Sequence, residues 1–184
     1  MSKLIFTDTS QSLYYRWSYT RIFLPVIIEM ERPQIIIREG ILSDAESVRS
    51  IAFPIMGSFG MKPDPKGLDF ELGHFGEIYS GAISQLVAII GLRIIGSIIL
   101  RHQPPNSGKI TGFYVDSKFQ GQKAGHLLLS EVINRAQMDN LDGIYLDTWD
   151  KMEAAVGIYK KFGWKQIEDP PPNSGANRRY YLSL

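Results

Sequence analysis

The spacing of apolar residues changes several times along this chain, and each spacing predicts a type of element. Segments that are rich in β-branched residues or alternate between apolar and polar positions, with Gly, Pro and Asn turns between them, predict strands. These segments are 33–44, 84–90, 94–100, 109–115, 143–149, 165–169 and 178–184. A tight turn at 91–93 joins the second and third segments, which therefore predict a hairpin.

Apolar residues three or four positions apart predict helices between these strands. One such stripe recurs every fourth residue in 124–136, and a second lies in 151–164. A capping signal at 43–44 predicts a helix that runs to Pro54, and 68–82 predicts a weaker helix. This order of strands and helices predicts an α/β (α+β) architecture, with helices packed on a mixed sheet.

The composition is that of an ordinary globular domain. Of the 184 residues, 44% are hydrophobic and 21% are charged, which is enough for one domain with its own core. A formal net charge of +1 gives no reason to expect a nucleic-acid or membrane partner. The sequence has no cysteine, which excludes disulfides and thiol chemistry, and its three histidines have no metal-ligand spacing, so no metal is expected. We expect a cytoplasmic location.

The N-terminal segment is aromatic and apolar and contains arginines. No apolar run reaches the roughly 18–20 residues that a membrane helix needs. The short run Ile22–Ile28 contains Pro25, so we do not expect a signal peptide. We interpret 1–32 as an extension of uncertain order, either peripheral or a translated leader ahead of Met30, and 33–184 as the domain. A role of the extension in docking a partner or a second copy stays open, and with it a possible homodimer.

The segment FQGQKAGHLLL, residues 119–129, places small residues at a predicted strand-to-helix turn. The first N–H groups of a helix have no intrahelical partner, and together with the helix dipole they favour an anion. Small residues let the backbone approach a pyrophosphate closely. The segment matches neither the Walker pattern nor the Rossmann G-x-G-x-x-G pattern. Taken alone, Gly121 and Gly125 fit a purely structural turn as well as a phosphate site.

Two segments resemble signatures of the GNAT superfamily of N-acetyltransferases. The turn resembles the signature Q/R-x-x-G-x-G/A, with a lysine where the family usually has a glycine; it consists of Gln120, Gly121, Gln122, Lys123, Ala124 and Gly125. The segment AAVGIYKKFGW, residues 154–164, resembles a second signature, a helix that carries an alanine and a tyrosine. The resemblance covers roughly 33–184. It implies a mixed, mostly antiparallel sheet of about seven strands flanked by about four helices.

The resemblance implies transfer of an acetyl group from acetyl-CoA to an amine of a small molecule or peptide, by direct attack in a ternary complex. Backbone groups before the turn would bind the pantetheine arm, and an N–H near Val115 would stabilise the oxyanion. Tyr159 would donate a proton to the leaving thiolate; its alternative role is that of a core aromatic. The residues that the resemblance assigns to coenzyme A are Phe113, Tyr114, Val115, Gln120, Gly121, Gln122, Lys123, Ala124, Gly125, Ala155 and Tyr159. His126 is a further candidate because it follows the turn, and its alternative role is that of a helix-surface histidine.

The general base is less well defined than the coenzyme site. Many family members carry a glutamate on the fourth strand, but 109–115 contains no carboxylate. Our candidates are Glu77, His74, Asp147 and Asp116, acting directly or through a water, and no base is needed if the amine arrives neutral. Glu77 lies three residues after His74, which would place both on one face of the predicted second helix. The alternatives are a solvated helix face for Glu77 and a partnered structural residue for Asp147.

The family builds its acceptor site from segments equivalent to 53–79 and 170–179, which predicts a partly apolar pocket. Arg178 and Arg179 would bias that pocket against a cationic acceptor if they face it. Two alternatives to acetyl transfer stay open. One is the transfer of a longer acyl group. The other is a non-catalytic acyl-CoA-binding module, which is suggested by Lys123, by Met152 and by the missing fourth-strand carboxylate, all atypical of the family.

Overall fold

The computed structural model describes residues 34–79, 81–172 and 174–184, so the predictions for residues 1–32 lie outside the described residues. The strands are β1 Ile35–Glu39, β2 Ala82–Ile90, β3 Arg93–Gln103, β4 Ser107–Val115, β5 Gly143–Thr148, β6 Lys165–Gln166 and β7 Arg178–Ser183. The α-helices are α1 Ala45–Ser58, α2 Phe70–Gly73, α3 Ala124–Met138 and α4 Glu153–Lys161. Short 3-10 turns occupy Leu42–Asp44 and Ser117–Phe119.

Within this part of the chain the seven strands form one sheet, in the order β1-β2-β3-β4-β5-β7-β6. β4 and β5 pair in parallel, and the other neighbouring strands pair antiparallel. The predicted hairpin forms because Gly91, at a φ of +57°, opens a turn between the paired residues Ile90 and Arg93. The structure confirms the predicted mixed, mostly antiparallel sheet with four helices.

Helices cover both faces of the sheet, and two cores fill the spaces between them. One face packs on α3 and α4 around a core that includes Leu128, Val132 and Leu146. The other face packs on α1 and α2 through side chains such as Val48 and Phe75. We call these two sides the α3 face and the α1 face. In the described residues no helix combines the length and apolar character that crossing a bilayer requires.

The predicted helix over 68–82 is wrong beyond a single turn, because only Phe70–Gly73 is helical. The reason lies in Gly76, whose φ of +82° is left-handed and whose backbone packs against Ile41 so closely that an added Cβ would lie 2.3 Å from the Ile41 carbonyl carbon. The chain therefore leaves the helix to make this contact. His74 is the C-cap of the short helix and Glu77 lies beyond it, so the two do not share a helix face.

A β-bulge interrupts β4 near its C-terminal end. The register with β3 shifts between the pairs Ile99–Thr111 and Ser97–Tyr114, and Gly112 between them has a φ of +55°. Ser97 Oγ donates to the Gly112 carbonyl oxygen at 3.0 Å, which fixes the bulge. The bulge changes which residues face each side, and so it decides which side chains reach the two cores.

On the α3 face the residues of β4 are Ile110, Phe113 and Val115, whereas Tyr114 packs on the α1 face. Without the extra residue, strict alternation would place Ile110 and Tyr114 on the same side. The consecutive rings of Phe113 and Tyr114 point to opposite sides of the sheet in any strand, and the bulge decides that Phe113 takes the α3 face and Tyr114 the α1 face.

β4 and β5 separate beyond their third paired position. Their pairs are Gly108–Ile144, Lys109–Tyr145 and Ile110–Leu146. β4 nevertheless continues along β3 to Val115, and β5 continues along β7 to Thr148. The result is an opening in the sheet between 111–115 and 147–148, which we call the fork.

Candidate functional site

At the fork, one edge of β4 is available to hydrogen-bond a ligand. Residues 111–115 pair with β3 on one side, and on the other side they face the opening rather than a strand of the described residues. A strand edge of this kind binds an extended ligand through backbone N–H and C=O groups. The predicted coenzyme residues Phe113, Tyr114 and Val115 are therefore brought together along this edge.

The predicted phosphate turn follows the edge directly. Asp116 Oδ1 accepts from the Lys118 N–H at 3.0 Å and starts the 3-10 turn, while Arg93 Nη2 lies 2.8 Å from Asp116 Oδ2. Gly121 has a φ of +77°, and an added Cβ there would meet no atom within 4 Å. The turn thus presents open backbone at the N-terminus of α3, whose 15 residues give it a full helix dipole.

Gly125 holds α3 close to the end of β4. An added Cβ at Gly125 would lie 3.3 Å from Phe113 Cζ and 3.5 Å from Ile158 Cδ1. The first turn of α3 therefore packs on both β4 and α4, and its N–H groups lie next to the strand edge. This close contact explains in physical terms why a glycine suits position 125.

Lys123 adopts a left-handed conformation, with a φ of 71° and a ψ of −1°, as the N-cap of α3. This region costs a non-glycine residue about 1–2 kcal/mol. The usual glycine of the family signature fits the backbone conformation at this position. The side chain of Lys123 is exposed, so a lysine in place of the signature glycine affects the backbone conformation rather than the packing of the turn.

The remaining predicted coenzyme residues surround the turn. Gln120 and Gln122 are exposed, whereas Ala124 is buried. The exposed ring of His126 lies against Phe162, just beyond the end of α4, with a centroid distance of 4.5 Å and an angle of 48° between the ring planes. Ala155 lies half-buried on α4 against the α3-face core.

Tyr159 is buried beside the fork, with 5% of its surface exposed. Its ring centroid lies 6.1 Å from that of Phe113 on the edge of β4, and 6.1 Å from that of Tyr180. Burial raises the pKa of Tyr159, and the neighbouring Tyr114 and Tyr180 add to this shift. Like any tyrosine phenol, it is protonated at neutral pH, as a proton donor must be. The same burial fits a core aromatic, so the acid role stays a prediction.

Asp147 lies at the fork but is held by two cations. Arg179 donates to it from Nε at 2.7 Å and from Nη2 at 2.9 Å, and Lys109 Nζ lies 2.6 Å from Oδ2. Burial acts to raise the pKa of Asp147, but the hydrogen bonds from Arg179 and Lys109 outweigh it and hold the pKa below its usual value. A carboxylate of this kind is a poor proton acceptor, which favours the structural alternative for Asp147.

Glu77, another candidate base, is an exposed residue of the connection between α2 and β2. Its backbone carbonyl accepts from Gln85 Nε2 at 2.8 Å. His74 instead stacks on Phe70, with ring centroids 4.0 Å apart. A base role for Glu77 stays a prediction that now rests on the carboxylate alone.

The sequence did not predict the surroundings of three polar side chains on the α1 side of the sheet, Tyr114, Thr111 and Tyr79. Tyr114 turns its side chain to the α1 face, where burial and the nearby Asp69 raise its pKa. Thr111 Oγ1 and Tyr79 Oη are buried with no hydrogen-bond partner among the described residues. Desolvation raises the pKa of Tyr79 to about 12. A period-two pattern in 109–115 would have found Thr111, but the bulge hides which face each later residue takes.

The segment before β7 is attached to the end of β5. Trp149 Nε1 donates to the Gly175 carbonyl oxygen, and the Asp150 N–H donates to Asn177 Oδ1 at 3.0 Å. Residues 174–179 therefore lie beside the fork, as the acceptor prediction expects of them.

A separate concavity lies on the α1 side of the phosphate turn. It has a volume of about 420 Å³ and is lined by α1, the β2–β3 turn and residues 116–118, with Ser47, Arg93 and Lys118 among its polar groups. Of the predicted acceptor segment 53–79 it includes only Pro54 and Ile55. The concavity therefore adjoins the candidate coenzyme site without containing its predicted residues.

Residues 48–164 match the family model described as the acetyltransferase (GNAT) family. Over 71 residues the chain is 37% identical to an uncharacterized N-acetyltransferase of Dictyostelium discoideum, a match that covers 39% of this chain and 33% of that protein. Over 73 residues it is 34% identical to an uncharacterized N-acetyltransferase of Schizosaccharomyces pombe, covering 38% of this chain and 45% of that protein. The matches thus span a third to under half of these relatives' length.

Solved structures resemble the fold over most of the described residues. A GNAT-family acetyltransferase of Staphylococcus aureus Mu50 is 29% identical, covers 82% of this chain and 99% of its own, and gives a TM-score of 0.73. The PaiA N-acetyltransferase of Thermoplasma acidophilum, solved in complex with coenzyme A, is 16% identical with a TM-score of 0.63. That match covers 82% of this chain and 99% of the other.

Proposed function

The chain belongs to the acetyltransferase (GNAT) family, and from this premise we propose that it transfers an acetyl group from acetyl-CoA to a primary amine. The family membership confirms the resemblance drawn from the sequence. The acceptor, the general base and the roles of individual residues belong to the proposal.

One observation carries the proposal: the open edge of β4 leads directly into the N-terminus of α3. The edge at 111–115 offers backbone groups to an extended pantetheine arm, and the turn at 120–125 offers N–H groups to a pyrophosphate. The pantetheine arm and the pyrophosphate are consecutive parts of coenzyme A, and the two binding surfaces follow each other in the same order. The coenzyme A bound to the Thermoplasma acidophilum neighbour supports the same assignment.

The proposed reaction needs few groups from the protein. Bound acetyl-CoA supplies a thioester whose carbonyl carbon the amine attacks. A backbone N–H at the end of β4, near Val115, stabilises the oxygen as it gains charge. Tyr159 supplies a proton on the leaving-group side, since a tyrosine phenol is protonated at neutral pH and burial raises its pKa further.

Titration calorimetry of the full chain with acetyl-CoA and with coenzyme A tests this proposal. We expect micromolar binding that weakens by about tenfold or more in Gly125→Glu, because the glutamate crowds Phe113 and places a negative charge at the helix N-terminus, where it repels the phosphates. Gln120→Ala tests the first residue of the turn, and Gln137→Ala, at the opposite end of α3, is its matched control. If millimolar coenzyme A does not bind, the proposal fails.

The non-catalytic acyl-CoA-binding module is the second candidate, and the N-terminus of α4 favours it. Met152 is the N-cap of this helix, and its Sδ accepts from Thr148 Oγ1 at 3.7 Å rather than offering a side-chain amide. A module of this kind would bind acetyl-CoA in the same titration but leave every amine of a broad panel unacetylated. Turnover of any amine excludes it.

A further inference from the structure

A cluster of two cations and one carboxylate lies where β4 and β5 part. Asp147 is the first β5 residue beyond the last β4–β5 pair, and the sheet register places it opposite Arg179. The carboxylate accepts two hydrogen bonds from Arg179, and Lys109 Nζ lies 2.6 Å from Oδ2. The side chains of Lys109, Asp147 and Arg179 are 16%, 7% and 20% exposed, so the cluster is largely withdrawn from water.

The charges and the hydrogen-bond donors of this cluster do not balance. Two positive groups share one negative group, which leaves a net charge of +1 in a largely buried place. Asp147 engages one donor of the Lys109 ammonium and two of the Arg179 guanidinium, so both groups keep donors for another acceptor. Buried charges and donors are stable when they are paired. The cluster therefore favours a bound anion that accepts hydrogen bonds from Lys109 and Arg179.

A neighbouring hydroxyl faces the same side. Thr111 is the first β4 residue beyond the last β4–β5 pair, and it lies opposite Ile99, which packs in the α1-face core. Its Oγ1 is buried without a hydrogen-bond partner in the described ranges. Thr111 and Lys109 are two residues apart on one strand, so their side chains share the α1 face. This face is opposite to the one that carries Phe113 and Tyr159.

We propose that the acceptor is a small primary amine that carries a carboxylate, and that Lys109 and Arg179 bind this carboxylate on the α1 face of the fork. Asp147 positions the two cations. The inference rests on the proposed acetyl transfer and names its acceptor class. In the reaction an N–C bond forms to the acetyl carbon and the C–S bond breaks. The amine loses a proton, the leaving thiolate gains one, and the carboxylate is unchanged.

The test uses pairs of molecules that differ only in the carboxylate. Free amino acids and their carboxamides serve as acceptors, and each rate is corrected for the fraction of neutral amine. The wild-type chain is expected to prefer the carboxylate member by about tenfold or more in kcat/KM, as charge-assisted hydrogen bonds predict. Lys109→Met and Arg179→Gln should each lower this preference toward unity by slowing the carboxylate member alone.

Three further measurements separate binding from folding. Arg178→Gln removes the neighbouring arginine, which lies on the other face of β7 with Tyr180, and should keep the wild-type preference. Lys109→Arg should restore much of the preference. Calorimetry of the coenzyme A complex with an N-acetyl amino acid and with its amide repeats the comparison without turnover.

The outcomes distinguish the two proposals. If the chain acetylates amines but treats carboxylates and carboxamides alike, the acceptor class is overturned and acetyl transfer stands. If Lys109→Met and Arg178→Gln lower the preference equally, the cluster is not the binding site. If acetyl-CoA does not bind at all, the proposed function fails and this inference falls with it.

Discussion

Lys109 Nζ lies 2.6 Å from Asp147 Oδ2, although the register of β4 and β5 pairs Lys109 with Tyr145. The ammonium therefore reaches diagonally along the sheet to the residue at which the two strands part. Arg179 holds the same carboxylate from β7. The cluster thus links β4, β5 and β7 at the point where backbone pairing between β4 and β5 ends.

Asp147→Asn tests how much the ion pairs of Asp147 with Lys109 and Arg179 contribute to stability. The neutral amide leaves two largely buried cations without their counter-charge, so the free energy of unfolding should fall by about 1–3 kcal/mol at pH 7. Urea denaturation followed by circular dichroism measures the change. The matched control is Asp169→Asn, an exposed carboxylate that should change the free energy by less than about 0.5 kcal/mol. Equal effects of the two substitutions would contradict a stabilising role for the cluster.

The same carboxylate predicts a pH dependence of stability. The hydrogen bonds from Arg179 and Lys109 hold the folded-state pKa of Asp147 below its unfolded value of about 3.9. Its contribution is therefore complete above about pH 4 and is lost as the pH falls through the folded-state pKa. The stability difference between wild type and Asp147→Asn should shrink over that acid range. A difference that stays constant from neutral to strongly acid pH would show that charge plays no part.

The sequence predicted the elements where the pattern is local. The hairpin around Gly91, the strand before the phosphate turn and the helix after it all form, because each follows from spacing within a few residues. The helix over 68–82 failed because its end depends on a contact between Gly76 and Ile41, which lie far apart in the sequence.

In the candidate site, too, features formed by consecutive residues could be predicted and contacts between distant residues could not. The phosphate turn could be predicted because its residues are consecutive. The partners of Asp147 could not, since Arg179 lies 32 residues away and Lys109 comes from an earlier strand. The left-handed conformation of Lys123 was also hidden, because a lysine gives no local signal for a positive φ.

Gly112→Ala tests the bulge that shapes β4. An added Cβ would lie 2.7 Å from Ile99 Cδ1 at a φ of +55°, so the variant suffers both a close contact and backbone strain. We expect a loss of about 1–3 kcal/mol in the free energy of unfolding and weaker coenzyme A binding. Denaturation and calorimetry measure the two effects.

Gly57→Ala is the control for this substitution. Gly57 lies within α1 at an ordinary φ, and an added Cβ there would meet no atom within 4 Å. Alanine should therefore stabilise the chain by about 0.5–1 kcal/mol, because it lowers the entropy of the unfolded state. If Gly112→Ala behaved like Gly57→Ala, the bulge would not require a glycine.

Lys123→Gly and Lys123→Ala separate backbone strain from charge at the phosphate turn. Glycine relieves the left-handed strain at 71° and should raise the free energy of unfolding by about 0.5–1 kcal/mol, with coenzyme A binding equal or tighter. Alanine keeps the strain and removes the ammonium, so it should leave stability and affinity nearly unchanged. A tenfold loss of affinity in Lys123→Ala would instead indicate that the ammonium pairs with a phosphate.

Tyr159→Phe decides between an acid and a core aromatic. The substitution removes one oxygen from a ring that lies 6.1 Å from Phe113, so binding of acetyl-CoA should stay within about twofold. If the phenol donates the proton, kcat should fall by about 100-fold or more. The matched control is Tyr180→Phe, which removes the hydroxyl of an equally buried ring 6.1 Å away and should keep kcat within about threefold. Equal rates for wild type and Tyr159→Phe would assign Tyr159 to the core. Where departure of the thiolate limits the chemical step, loss of its proton donor must slow that step.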